Sequence, residues 1–206
     1  LVTDQELDTK AIILESALGL FADHGFDGVS IRDIAQYAKV NVAAINYHFQ
    51  NKANLYFEVV NRSHEYLEEE ISKLEKDGDD LYALVLDMYA LFLREEKRIQ
   101  NIFKILISSQ GEVLRKLCNA RDHVGPPGST ILFKALKKQT EHNSKITDED
   151  LYWAVELIFD QVIFKALMNC AYKQITETNT PFALDQESTR KGLLRFCRMI
   201  IKELRQ

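Results

Sequence analysis

Apolar positions recur at helical spacing almost from the start of the chain. Leu14, Ala17, Leu18 and Phe21 mark one face of a helix running from Asp8 to His24, and Gly25 follows as its stop. Ile31, Ile34, Ala35 and Ala38 repeat the spacing after Ser30, with Asp33 placed three residues on, as a capping box requires. After Lys39 and Val40, Asn41 is positioned to cap a short third helix that turns Ile45 and Phe49 inward. Asn51 opens a longer helix through Leu55, Val59 and Leu67 to Leu74, where Lys76-Asp77-Gly78-Asp79-Asp80 breaks the pattern. Further amphipathic stretches are predicted at residues 80–95, 98–120, 129–142, 148–174 and 187–205, with loops at 125–128 and 176–181. With no persuasive strand pattern, repeat or low-complexity tract, the expected class is all-α.

Composition supports this without adding a function. The 206 residues are 46% hydrophobic and 28% charged, the balance of a globular chain with room for one domain, or a small one joined to a larger. Prolines occur only at 126, 127 and 181, so nothing in the first 125 residues must break a helix. No apolar run reaches the length of about 18 residues that a membrane span needs. Leu1 to Asp8 lack the basic start of a secretory signal, and Cys118, Cys170 and Cys197 are widely spaced and odd in number, so a cytoplasmic protein without a disulfide framework is expected. No metal site is expected either, because the five histidines show neither H-x-x-x-H nor H-E-x-x-H spacing. Net charge is −5, which argues against nucleic-acid binding through bulk positive charge; any such contact must be local.

Two predicted helices near the C-terminus are apolar over more than one face. Trp153, Leu157, Gln161 and Phe164 lie on the first, and Leu193, Phe196 and Ile200 on the second. A stripe wider than one core needs suggests burial against a second copy, and these seven residues are the expected dimer interface; the alternative is two helices buried inside a large monomeric bundle.

The chemistry concentrates earlier. Two short amphipathic helices joined by a tight turn form a helix-turn-helix pattern, in which the second helix enters the major groove and donors on either side hold phosphates. Ser30, Tyr47, His48 and Lys52 are donors of that kind. Lys52 would be unfavourable beside the positive end of a helix dipole, a penalty that a bound phosphate removes.

Residues 11–55 resemble the DNA-binding domain of the TetR family of transcriptional regulators. The resemblance is carried by Phe21, Gly25-Phe26, Val29-Ser30-Ile31-Arg32-Asp33-Ile34-Ala35, Val40-Asn41, Ile45, Tyr47-His48-Phe49, Asn51-Lys52 and Leu55. It implies that Val42 to His48 is the recognition helix, that Arg32 can also reach a base, and that Tyr47 and Lys52 hold phosphates. Arg32 suits guanine, Asn46 adenine, and Val42 and Ala43 thymine methyls, although Arg32 could instead pair with Asp33 or Glu15. One departure is Lys39, where the family usually has Gly; a left-handed lysine costs on the order of 1 kcal/mol. Residues 1–56 hold four basic side chains against seven acids, so specificity is expected to come from a dimer presenting two such helices to a palindromic operator.

The same resemblance implies a helix-turn-helix domain at 1–56, joined by a long helix to a dimerising, ligand-binding bundle within 57–206, and a repressor released by an unidentified small-molecule inducer. Phe92, Phe103, Ile107, Phe133, Phe159 and Phe164 are the apolar candidates for its pocket, with Tyr89, His123, His142 or Asn169 as polar contacts. A protein partner in place of the small ligand, as in the family's nucleoid-occlusion members, is the alternative. No phosphate-binding loop, dinucleotide fingerprint or nucleophile elbow occurs, so no catalytic residue and no cofactor is expected.

Overall fold

The computed structural model describes residues 4–75, 80–108, 115, 125–141, 143–173 and 186–206. Among these the regular structure is helical throughout: α1 (Asp4–His24), α2 (Ile31–Ala38), α3 (Val42–Phe49), α4 (Lys52–Ser72), α5 (Leu81–Arg94), α6 (Glu96–Ser108), α7 (Ser129–Thr140), α8 (Asp148–Lys173) and α9 (Gln186–Leu204). The all-α class read from periodicity is the class observed. Cys118, His123, His142 and the loop expected at 176–181 lie outside the described residues. Among the described residues no helix is long and apolar enough to cross a membrane.

Packing divides the chain into two units. One, here the head, comprises Leu1–Tyr66 with Lys97–Val124; the other, the bundle, comprises Leu67–Glu96 with Gly125–Gln206. The helix-turn-helix expected within residues 1–56 thus shares its unit with the first half of α4 and most of α6, while the end of α4 belongs to the bundle.

In the head, α1, α2 and α3 pack on one another around Ile13, Phe21, Ile34, Ile45, Phe49 and Leu55, all buried. Phe21 and Phe26 both meet the Tyr56 ring edge-on, at 5.0 and 5.1 Å, which anchors the end of α1 to α4. The Tyr56 hydroxyl donates to the Ile105 carbonyl of α6 at 3.4 Å.

In the bundle, α8 packs against α5, α7 and α9, and the core is formed by Met88, Phe92, Leu132, Ala154, Ile158 and Val162. Gly128 starts α7 at φ +79, and a Cβ there would lie 2.4 Å from Ile71 Cγ2, so both conformation and space demand glycine. Its N–H donates to Glu68 Oε2 at 2.7 Å. Thr147 and Asp150 form a reciprocal capping box before α8, with Asp150 accepting from the Thr147 N–H at 2.8 Å and from its hydroxyl at 2.6 Å.

Candidate nucleic-acid interface

The turn between α2 and α3 is assembled from local chemistry. Ser30 caps α2 as expected: its Oγ accepts from the Asp33 N–H at 3.2 Å, while Asp33 Oδ2 accepts from the Ser30 N–H at 2.8 Å and from its hydroxyl at 2.6 Å. Those bonds, the hydroxyl's first, hold the Asp33 carboxyl below its ordinary range. Lys39 ends α2 in the left-handed region at φ 55, and its N–H returns to the Ala35 and Gln36 carbonyls. Asn41 then caps α3, its side chain accepting from the Ala44 N–H at 2.7 Å. Ile45 and Phe49 face inward and fix which side of α3 is left outside.

That outer side carries three of the four residues expected to read bases. Val42, Ala43 and Asn46 are exposed, and Tyr47 is 72% exposed. Arg32 is exposed on α2 and has no ion-pair partner among the described residues. The two acids it could have taken are engaged elsewhere, Asp33 by Ser30 and Glu15 by Arg98. Sequence reasoning missed Tyr37, which is 66% exposed on α2. The signal was present, since 37 falls outside the 34, 35, 38 apolar register.

The expected phosphate donors fare unequally. Tyr47 has an exposed ring, and half-buried His48 meets it edge-on at 5.1 Å. Ser30 differs from expectation, because its hydroxyl and its N–H are both committed to Asp33. The Ile31 and Arg32 N–H groups, which have no carbonyl within the helix, are the donors left at that end. Lys52 also differs: its ammonium donates to the Phe26 and Val29 carbonyls, each at 3.0 Å, and lies 4.2 Å from the centre of the Phe26 ring. It pins the α1–α2 loop to the start of α4 and keeps one N–H in reserve.

The bundle candidates separate into core and surface. Phe92 and Phe159 are buried and meet edge-on at 6.2 Å, and Tyr89 is buried with them in the core. Phe133 is half-buried against the Tyr152 ring at 4.8 Å. Phe103 and Ile107 belong to the head instead, and Ile107 and Phe164 are exposed. Of the expected dimer residues, Trp153 and Phe164 are exposed, and Leu157, Gln161 and Phe196 are partly so. Leu193 and Ile200 are a correction: they are buried in the protomer's own core and have no surface left to give a partner. Buried Cys197 has its thiol pushed up to about 12 by desolvation, which makes it unreactive.

Comparison with known proteins agrees with this geometry. A family model described as bacterial regulatory proteins, tetR family, matches residues 13–59. The probable HTH-type transcriptional regulator YttP of Bacillus subtilis is 45% identical over 60 residues, which span 29% of this chain and 29% of that protein. The HTH-type negative transcriptional regulator IcaR of the Staphylococcus aureus biofilm operon icaADBC is 24% identical over 177 residues, covering 84% of this chain and 92% of that protein. In the fold, this chain is similar to the fatty acid degradation regulator FadR from Bacillus halodurans, with a TM-score of 0.67 and 16% identity over 96% of this chain and 97% of the other.

Proposed function

We propose that the chain is a DNA-binding transcriptional regulator of the TetR family, acting in the cytoplasm as a homodimeric repressor of a palindromic operator that a small-molecule ligand releases. The observation that carries the DNA contact is the outward face of α3. Val42, Ala43, Asn46 and Tyr47 stand clear of the core, with an exposed Arg32 on α2, at a turn bounded by two helix caps. Arg32, Val42, Ala43 and Asn46 read base edges; Tyr47, His48 and the remaining N–H of Lys52 position the backbone.

Dimerisation is supported by the apolar surface of α8 and α9. Trp153 is 48%, Phe164 54% and Met199 63% exposed, with Leu157, Gln161 and Phe196 partly so. Large apolar side chains gathered on one helix pair are the anatomy of a protein interface. Two-fold symmetry of the protein then dictates two-fold symmetry of the operator. Repression is supported by the similarity to IcaR, itself a negative regulator. Release by a ligand requires a molecule that binds the non-DNA form more tightly by the factor it removes from operator affinity.

The experiment is selection from a random double-stranded DNA library at physiological salt, repeated with Tyr47→Ala. A palindromic motif recovered by the wild type and lost by the variant is the expected result. Recovery of no motif, or of the same motif with equal yield by the variant, would overturn the proposal.

A further inference from the structure

We propose that a cleft of about 220 Å³ in the head, between α1, α4 and α6, binds a small organic monoanion, held by the Arg98 guanidinium in place of Glu15. Arg98 is the centre of the cleft's chemistry. Its guanidinium lies 4.1 Å from the centre of the Tyr66 ring, which fixes the plane of the fork. One terminal nitrogen, Nη2, is bonded to Glu15 Oε2, while the Nε–H is buried and has no acceptor among the described residues. The Nε and Nη2 edge of an arginine matches both oxygens of one carboxylate, and Glu15 uses only one of the two prongs.

The rest of the lining selects what can replace Glu15. Leu14, Leu18 and Val59 supply an apolar floor. Arg62, also on the lining, pairs with Glu65 at 3.3 Å, so its charge is already matched by an acid. Once Glu15 turns outward, the Arg98 guanidinium is left with one positive charge for a ligand to match. A monocarboxylate with a short apolar or aromatic body meets both conditions. A neutral molecule of the same shape does not. Glu15 is itself 59% exposed, so it can swing into water while the ligand takes both prongs of Arg98.

The exchange has a mechanical consequence. Arg98–Glu15 and Lys104–Asp23, the latter at 3.1 Å, both tie α6 to α1. Replacing Glu15 by a free anion removes one of them. That occupancy alters operator affinity rests on the ligand-release reading above; that the cleft binds an anion does not.

Benzoate is a suitable probe, titrated into the full chain by calorimetry and by NMR, with benzyl alcohol as the neutral control. Saturable benzoate binding is expected, at least about tenfold weaker in Arg98→Gln and stronger in Glu15→Gln, with no saturation by the alcohol. Leu14→Trp, which fills the cleft without changing a charge, is expected to lose benzoate as well. Absence of saturable binding up to about 20 mM, or equal affinity in either Arg98→Gln or Leu14→Trp, overturns the site, and the tryptophan variant decides the matter if Arg98→Gln does not fold. Benzoate binding that leaves operator affinity unchanged keeps the site and overturns its regulatory role.

Discussion

The α2–α3 pair of the head and the α8–α9 pair of the bundle both leave large side chains in water, but in different company. Tyr37 and Tyr47 stand among Arg32, Asn46 and the free N–H groups at helix starts, whereas Trp153, Phe164 and Met199 share α8 and α9 with the partly exposed Leu157 and Phe196, and have charged residues such as Glu156, Asp160 and Glu203 about one turn away. An aromatic ring surrounded by donors suits a phosphate and base surface. Several large apolar side chains on one helix pair, bordered by charges that include carboxylates, suit a second protein surface, since carboxylates repel phosphate while a charged rim is ordinary at a protein interface. Exposure alone therefore does not distinguish the two uses; the polar neighbours do.

The largest expected effect tests whether the outward residues of the head are free of structural duty. Phe92→Ala empties a fully buried position of the bundle and is expected to cost about 3–5 kcal/mol, seen as a lowered urea midpoint. Tyr47→Ala is expected to change stability by less than about 0.5 kcal/mol while weakening operator binding about tenfold or more. A Tyr47→Ala protein destabilised as much as the Phe92→Ala protein would mean that α3 is held by its outer face, and the contrast would fail.

Lys52 lies between the two cases, with its charge turned toward backbone carbonyls rather than solvent. Charge-assisted bonds of this kind are worth about 1.5–3 kcal/mol, so Lys52→Met is expected to lower stability by an amount in that range and to loosen the α1–α2 loop in amide exchange. If the variant melts like the wild type but binds DNA with a smaller salt slope, the lysine serves phosphate alone.

How much of this was legible in the sequence follows the same division. The helices, the caps at Ser30 and Asn41, the left-handed Lys39 and the inward Ile45 and Phe49 could all be read, because each is decided within a few residues of itself. Contacts between distant residues could not be read. Periodicity says that Phe103 and Phe159 lie on helix faces but not which unit each packs in, and nothing local joins Arg98 to Glu15 across 83 positions. Lys52 was read as a phosphate donor because the carbonyls it reaches, 23 and 26 residues earlier, belong to a loop with no pattern. The Thr147–Asp150 box was legible, yet the run Asp148-Glu149-Asp150 reads equally well as a solvated acidic face.

Lys39→Gly sharpens the comparison from the side of strain. At φ 55 a lysine carries a left-handed penalty that glycine does not, so the change is expected to raise stability by about 1 kcal/mol. Because it also removes a positive charge beside the turn, operator binding is expected to weaken slightly and to depend less on salt. A destabilised Lys39→Gly protein would show that the side chain supports the turn by a contact outweighing its strain.

The smallest effect places one matched device in each region. The Ser30 and Thr147 hydroxyls, followed by the N–H groups of the same residues, hold the Asp33 and Asp150 carboxyls below the ordinary value of 3.8. The unfolded chain therefore takes up these two protons at a higher pH than the folded one. Stability from the two boxes is complete well above 3.8 and is lost as pH falls through 3.8 toward the lower native values. Asp33→Asn and Asp150→Asn are each expected to flatten the acid limb of the pH–stability curve, measured as urea midpoints between neutral pH and pH about 3. Trp153, the single tryptophan, lies in α8 and reports the bundle, while amide exchange in α2 reports the head. If Asp33→Asn shifts only the exchange of α2 and Asp150→Asn only the tryptophan transition, the two units unfold separately and a ligand can act on one without melting the other. If either substitution shifts both signals together, the long α4 that runs through both units transmits unfolding between them, and the head loses its hold on DNA whenever the bundle is destabilised.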